Sequence, residues 1–148
     1  MRSMGKVTAS AAQTITASAD RVIAALGDYN GTRAAMLTEH FSKYEVREGG
    51  KGAGTVVHWK LAATSKRVRD CLITVTAPSA NTLVETDANS SMVTTWTVTP
   101  AGDGTSAVTV ETSWNGASGI GGFFERTFAP GGLKKIYDAQ LAKLEAAL

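Results

Sequence analysis

The chain is poor in cysteine, proline and net charge. Its 148 residues include one cysteine, Cys71, and three prolines, and the formal net charge is only +2. A lone cysteine excludes an intramolecular disulfide and is typical of a reducing compartment. A small net charge spread along the chain gives no reason to expect nucleic acid as a partner. We interpret the short basic clusters as solvated surface.

Long hydrophobic runs and metal or nucleotide motifs are also missing. No stretch approaches the roughly 20 apolar residues that span a bilayer, and the first residues lack the apolar core of a signal peptide. We therefore expect a cytoplasmic protein without membrane insertion. The two histidines, His40 and His58, are far apart and no CxxC or HExxH motif occurs, so neither a metal site nor a cofactor is predicted. The composition, rich in Ala, Thr, Ser and Gly, hints at a bacterial source.

What the sequence does contain is a series of strand patterns followed by one long helix. Alternation and turn residues predict strands at 6–16, 41–48, 55–63, 66–77, 82–87, 92–99 and 106–114. Two short helices are predicted after the first strand, one starting at Ser18 and stopping at Gly27, the other covering Thr32 to Thr38. Short turns between successive strands favour an antiparallel sheet, in one domain covering residues 1–148.

The strands have one apolar face each, and the helix can cover it. In the last strand Val110 and Trp114 share a face with Thr112, whereas the opposite face is polar. A one-sided sheet must be covered on its apolar side. From Gly121 to Leu148 the pattern is helical, with an inner stripe from Leu133 to Leu148 and a second, Phe-rich stripe before residue 129. Because Pro130 is followed by two glycines, we predict a kink or break near 129–132.

With this element order in hand, the sequence resembles the START-like (SRPBCC) superfamily, and most closely its polyketide cyclase/dehydrase-like branch. The segments that carry the resemblance are TITASADRVIAALGDY (14–29), GGKGAGTVVHW (49–59), RVRDCLITVTAPSANTLVET (67–86) and the C-terminal LKKIYDAQLAKLEAAL. The resemblance implies an α+β helix-grip fold, in which a curved antiparallel sheet of six to seven strands wraps a long C-terminal helix. It also implies that a hydrophobic ligand is held between sheet and helix.

Residues on the inner faces are the candidates for contact with such a ligand. They comprise Trp59, Arg69, Cys71, Ile73, Trp96, Val110, Trp114, Phe124, Phe128, Ile136, Tyr137 and Gln140. The tryptophans suit a core and a cavity wall equally well. The Tyr137 hydroxyl could donate to a ligand oxygen or to a backbone carbonyl, and Cys71 is interpreted as a small core residue rather than a nucleophile.

For three polar features, the sequence either leaves two roles open or argues against a functional role. Arg69 lies on an apolar face, so it is expected either to anchor a ligand oxygen or to pair with Glu85 or Asp87 on the neighbouring strand. His58 alternates with Trp59 and is therefore expected to point outward, away from any catalytic role. The glycine-rich segment at 50–54 enters a strand rather than a helix, so we interpret it as a turn and not as a phosphate loop.

Two functional hypotheses follow. The first is a binding protein for a hydrophobic or amphipathic small molecule, lipid-like or polyketide-like, acting as a monomer or homodimer. The alternative is a cyclase/dehydratase-type enzyme acting on a poly-carbonyl substrate in the same cavity; no catalytic residue is assigned, and the balance leans against an enzyme. An apolar cavity with a single cation favours the carrier. An Arg or Tyr meeting an acidic or His side chain there favours the enzyme, and an interior filled by side chains contradicts both.

Overall fold

The computed structural model describes residues 6–64, 67–115 and 119–148, without the side chains of 63–64, 67 and 119–129. The elements within these ranges are β1 (Lys6–Ile15), α1 (Ala19–Leu26), α2 (Thr32–Ala35), β2 (Phe41–Glu48), β3 (Val56–Thr64), β4 (Arg67–Ser79), β5 (Thr82–Asp87), β6 (Val93–Pro100), β7 (Ser106–Asn115) and α3 (Gly119–Ala147). Element order and type are as predicted, and the largest boundary difference is in α2, which is three residues shorter than expected.

The seven strands form one curved antiparallel sheet with the order β1-β7-β6-β5-β4-β3-β2. Each strand after the first pairs with its sequence neighbour, and β7 returns to pair with β1 along its full length, from Lys6 opposite Asn115 to Ile15 opposite Ser106. Register shifts interrupt the β2–β3, β3–β4 and β4–β5 pairs. Such bulges increase local twist and bend strands, which lets the sheet wrap around a helix. This confirms the predicted α+β helix-grip arrangement.

The long helix α3 lies along the inner face of the sheet and is anchored at its C-terminal end. The carboxylate of Glu145 accepts from the Gln13 amide (2.7 Å) and from the Thr16 backbone N–H (3.3 Å), which ties α3 to the end of β1. The predicted inner stripe is buried at Leu133, Ile136, Tyr137, Gln140, Leu141 and Leu144. The helix continues through Pro130, so a break at 129–132 is wrong, and the kink offered as the alternative stays a prediction.

The short helices close one end of the sheet. Ser18 caps α1 as predicted, with its hydroxyl accepting from the Arg21 N–H (3.3 Å), and Gly27 follows the last helical residue. The glycine-rich segment then packs beside Gly27. Gly50 and Gly52 both have positive φ, and their N–H groups donate to Thr55 Oγ1 (3.1 Å) and the Gly27 carbonyl (2.8 Å). Because these donors are already used inside the protein, the segment acts as a turn rather than as a phosphate cradle.

None of the helices in the described part of the chain is long and apolar enough to cross a membrane.

Candidate functional site

A row of polar side chains crosses the middle of the apolar inner face. Thr112 pairs in register with Thr94, and Thr94 with Glu85, so three adjacent strands place a polar side chain at the same level. All three are buried, with Glu85 only 2% exposed. The neighbouring rows contain Trp96 on one side and, on the other, Trp114 and the buried Asp87. Polar side chains that water cannot reach must be hydrogen-bonded within the protein.

Glu85 accepts four hydrogen bonds, two on each carboxylate oxygen. Arg33 of α2 donates through Nε to Oε2 (3.0 Å) and through Nη2 to Oε1 (3.1 Å), a bidentate ion pair. The Tyr29 hydroxyl donates to Oε2 (2.6 Å), and the Trp96 indole N–H donates to Oε1 (3.2 Å). A carboxylate offers about four lone-pair positions, so Glu85 has no free acceptor position.

Arg33 is completely enclosed although it carries a charge. Its guanidinium carbon lies 5.5 Å from the centre of the Trp59 ring and 5.0 Å from that of Trp96, which are cation–π distances. Its Nη1 donates to Gln140 Oε1 on α3 (3.2 Å). Burial alone would lower the pKa of Arg33, but the charge and hydrogen bonds of Glu85, together with Tyr29 and Tyr44, raise this pKa above its ordinary value. Arg33 therefore remains a cation that joins α2, the sheet and α3.

Two tyrosines hold the α1–α2 corner against this ion pair. The Tyr29 N–H donates to the Gly50 carbonyl (2.8 Å), so the glycine-rich turn helps to hold Tyr29 where its hydroxyl reaches Glu85. Burial, and then the Glu85 carboxylate, raise the pKa of Tyr29 well above its ordinary value. Tyr44 stacks on Trp59 and donates to the Tyr29 carbonyl, and burial raises the pKa of Tyr44 to about 12. Both hydroxyls therefore keep their protons at neutral pH.

The other end of the polar row is contacted by α3. The Tyr137 hydroxyl and Thr112 Oγ1 share a short hydrogen bond, and Thr112 Oγ1 lies 2.7 Å from Thr94 Oγ1. Burial raises the pKa of Tyr137. Each hydroxyl can act as donor or acceptor, so the two hydrogen bonds of this chain form without water.

Two buried donors are left over. Among the described residues, the buried side-chain nitrogen and oxygen atoms without a hydrogen-bond partner are Trp114 Nε1 and Gln140 Nε2. Leaving a buried N–H unpaired costs about 1–3 kcal/mol, so each such group in a native structure needs a reason. Both residues were predicted to face the ligand.

The predicted inner-face residues lie where expected, but they are closely packed. Those whose side chains the structure describes are buried, except for Arg69, which is partly exposed. The buried ones are Trp59, Cys71, Ile73, Trp96, Val110, Trp114, Ile136, Tyr137 and Gln140. Trp96 and Arg33 are enclosed between the sheet and the helices, with side chains no more than 2% exposed. Phe124 and Phe128 lie outside the described side chains. Contact with a ligand remains a prediction for the whole set.

The ion-pair partner of Glu85 is Arg33, whereas the sequence had suggested Arg69 as one possible partner. Glu85 pairs with Arg33, and it lies opposite Val75, six residues along β4 from Arg69. Six strand residues span about 20 Å, which is beyond the reach of an arginine side chain. The alternative of an Arg69–Glu85 ion pair is therefore wrong. The other acidic candidate, Asp87, accepts from the Leu72 N–H (2.9 Å) and the Ser90 hydroxyl (2.7 Å).

A cavity of about 630 Å³ lies at a place that the sequence did not suggest. Its walls come from α1, the glycine-rich turn and the β4–β5 turn, and include Ile23, Lys51, Ala77 and Leu83. None of the described side chains of α3, residues 130–148, lines it. The cavity is thus on the α1 side of the polar row, whereas Trp114 and Cys71 are on the other side.

His58 lies on the outer face, as predicted, although its side chain is only 12% exposed. Its Nε2 is 2.7 Å from Asp70 Oδ1, and its Nδ1 is 3.1 Å from the Lys43 carbonyl. The hydrogen bond from His58 lowers the pKa of Asp70. Because both ring nitrogens contact protein oxygens, His58 has no free nitrogen for a general base.

Sequence reasoning missed Tyr29, Arg33 and Glu85 as members of the interior site. Alternation in β5 places Glu85 on the same face as Leu83, so the strand pattern contained the signal. Arg33 and Met36 are three residues apart and share a helical face, and both are buried. The Tyr29 contact had no sequence signal, since it depends on how the glycine-rich turn holds the α1–α2 corner.

Comparisons with known proteins agree with this architecture. The profile of the family described as "Polyketide cyclase / dehydrase and lipid transport" matches residues 4–148. The solution structure of KanY protein is 50% identical, with 97% of both chains covered and a TM-score of 0.87. The protein TTHA0849 from Thermus thermophilus is 19% identical, with 94% of both chains covered and a TM-score of 0.75.

A third solved structure, the Zhui aromatase/cyclase from Streptomyces sp. R1128, is 16% identical. The alignment covers 97% of this chain and 91% of that one, with a TM-score of 0.64. At this identity the likeness concerns the fold. No curated protein matches the chain.

Proposed function

Because the chain belongs to the polyketide cyclase/dehydrase and lipid transport family, we propose that it binds a hydrophobic or amphipathic small molecule between the sheet and α3. The ligand lies over the apolar rows of Trp59, Cys71 and Trp114, and its polar end points toward the Arg33–Glu85 ion pair. The single cysteine supports assigning this role to the cytoplasm, and we propose it for a monomer or homodimer.

The observation that carries the proposal is the pair of unpartnered donors, Trp114 Nε1 and Gln140 Nε2. Both are enclosed, and both come from inner-face positions of β7 and α3. An acceptor on a bound molecule would recover the free energy lost by leaving them unpaired, about 1–3 kcal/mol for each. A closed interior around Trp96 is compatible with this role if the ligand lies on the Trp114 side of the polar row.

Native mass spectrometry of the purified protein, with solvent extraction of the bound material, tests this proposal. Cys71 is fully buried on the inner face of β4, so Cys71→Phe should fill the ligand space and remove a bound mass. Thr74→Phe adds the same ring to the exposed outer face of β4 and should leave the bound mass unchanged. A protein that carries no small molecule and binds none when offered fluorescent apolar probes would refute the proposal.

A cyclase/dehydratase-type reaction is the second candidate, and one observation favours it: Arg33 and Tyr29 meet Glu85 beneath α3. In such a reaction the Arg33 guanidinium would polarise a substrate carbonyl. Glu85 is a poor general base here, because its four acceptor positions are occupied. Incubation with linear poly-β-carbonyl thioesters, followed by chromatography of the products, tests this candidate. Turnover that survives in Arg33→Lys would refute the proposal that the Arg33 guanidinium polarises the substrate carbonyl.

A further inference from the structure

The cavity beside α1 is separate from the space between the sheet and α3. Its walls come from α1, the glycine-rich turn and the β4–β5 turn, and its volume is about 630 Å³. Pockets of about 300–1,000 Å³ are the usual size of small-molecule sites in proteins. The cavity is therefore large enough for a ligand of its own.

The cavity has an apolar floor and opens to solvent. Leu83, on the inner face of β5, and Ala25, on α1, are only 4% and 8% exposed, and the half-buried Ile23 also lines it. Ala24 on α1 and Ala80 in the β4–β5 turn are exposed, so the mouth lies between these two elements. A ligand that covers the floor removes apolar surface from water, which favours a ligand with an apolar body.

The glycine-rich turn forms a wall that is in place before any ligand binds. Gly52 has a φ of +62°, and a Cβ atom at this position would meet no atom within 4 Å, so Gly52 borders open space. Its N–H donates to the Gly27 carbonyl (2.8 Å), which holds the turn against the end of α1. A wall that is fixed in advance lowers the entropic cost of binding.

The charge available at the mouth is positive. Of the described residues that line the cavity, two are charged, Asp28 and Lys51. The carboxylate of the half-buried Asp28 lies beside Gly31, in the space that a side chain there would take, so it faces the start of α2. Lys51 is exposed, and the ion pairs of the described residues do not include it. A negatively charged group at the mouth would gain an ion pair with Lys51, whereas a cation would meet a like charge.

We infer that this cavity is a second binding site, which takes a molecule with an apolar body and one negatively charged group. The body lies over Leu83 and Ile23, and the charged group lies beside Lys51. The site is independent of the ligand proposed between the sheet and α3, because the residues assigned to that ligand do not line the cavity.

Three compounds with the same biphenyl body test the ligand class. At pH 7 biphenyl-4-acetate is an anion, biphenyl-4-methanol is neutral and biphenyl-4-methylamine is a cation. In two-dimensional amide NMR spectra, a ligand in the cavity should move the backbone signals of Ala24, Gly52 and Ala80, whereas a ligand under α3 moves the indole N–H signal of Trp114. From the first three signals we expect the carboxylate to bind about two- to fivefold more tightly than the alcohol, which is the effect of one exposed ion pair. The amine should bind more weakly than the alcohol.

A pair of tryptophan substitutions tests the location. Ala80→Trp places an indole in the mouth of the cavity and should abolish the shifts of Ala24 and Gly52 with all three compounds. Ala101→Trp adds the same side chain to the exposed turn between β6 and β7 and should leave these shifts unchanged. Circular dichroism checks that both variants fold.

A pair of lysine substitutions tests the charge. Lys51→Met keeps a side chain of similar length without its charge, so it should remove the preference for the carboxylate while binding of the alcohol changes little. Lys135→Met, at an exposed position on α3, should leave the preference intact. Asp28→Asn should also leave the carboxylate bound more tightly than the alcohol, because the Asp28 side chain faces α2.

The outcomes separate this inference from the proposed function. Cavity shifts that disappear in Ala80→Trp, with a carboxylate preference that disappears in Lys51→Met, would support it. The absence of shifts at Ala24, Gly52 and Ala80 with every compound, shifts that survive in Ala80→Trp, or a carboxylate preference that is missing or survives in Lys51→Met would overturn it. None of these results decides whether a ligand binds under α3, which the Trp114 signal and native mass spectrometry report.

Discussion

Removing one side of the buried Arg33–Glu85 ion pair should destabilise the protein strongly. Glu85→Gln keeps the shape of the side chain but leaves the Arg33 guanidinium as an uncompensated charge between two tryptophans. Arg33→Met keeps contact with the rings but leaves the Glu85 carboxylate with only Tyr29 and Trp96 as donors. Breaking a buried pair in this way costs about 3–5 kcal/mol. In a chain of this size that corresponds to a fall in Tm of roughly 6–20 °C.

The double variant Arg33→Met/Glu85→Gln has no buried charge, and its new amide oxygen can still accept from Tyr29 or Trp96. It should therefore be less destabilised than either single variant, which is a strong favourable coupling between the two changes. Urea unfolding followed by circular dichroism measures all four free energies of unfolding. Single variants within about 1 kcal/mol of the parent, or costs that simply add in the double variant, would refute this account of the network.

Two further predictions concern the neighbouring rows. Thr112→Val removes the partner of the Tyr137 hydroxyl and should lower the free energy of unfolding in urea by about 1–3 kcal/mol. Thr109→Val, on the exposed face of the same strand, should change it by less than about 0.5 kcal/mol. Equal effects of the two variants would contradict the hydroxyl chain. Burial, with help from the Asp87 carboxylate, raises the pKa of Cys71 to about 12 from 9.0. Since the thiol of the unfolded chain ionises at lower pH, the free energy of unfolding should fall between pH 9 and 12. Labelling of Cys71 by a thiol reagent at pH 8 should also be far slower in the folded protein than in urea. Equal labelling rates would contradict the burial.

The strands could be predicted closely because two independent signals agree in this chain. Alternation between apolar and polar residues defines each strand, and turn residues such as Asn115 and the segment 100–104 mark where pairing stops. The predicted bounds of β5, 82–87, were therefore correct to the residue. Of the predicted kink or break near Pro130, the break was wrong, because packing along an apolar sheet can retain a helix where the local sequence disfavours it.

The polar cluster could be predicted only in part, because it is built from separate elements. Gln140 follows from the helical stripe, and the position of Glu85 follows from alternation. Arg33 belongs to a four-residue helix, in which spacing indicates only that it shares a face with Met36, and its contact with Trp59 depends on how the α1–α2 corner packs against the sheet. Sequence reasoning can place a residue on a face, but partners that come from four elements depend on tertiary packing.

The position of Arg33 between two indoles gives the protein an intrinsic optical reporter. Two of its three tryptophans, Trp59 and Trp96, lie within cation–π distance of one guanidinium, whereas the third, Trp114, lies beyond Thr112 on β7. Fluorescence from the first two should follow the docking of α2, and quenching of Trp114 should follow the arrival of an aromatic guest. Single-tryptophan variants would allow the two events to be timed separately in a stopped-flow instrument, without an attached dye.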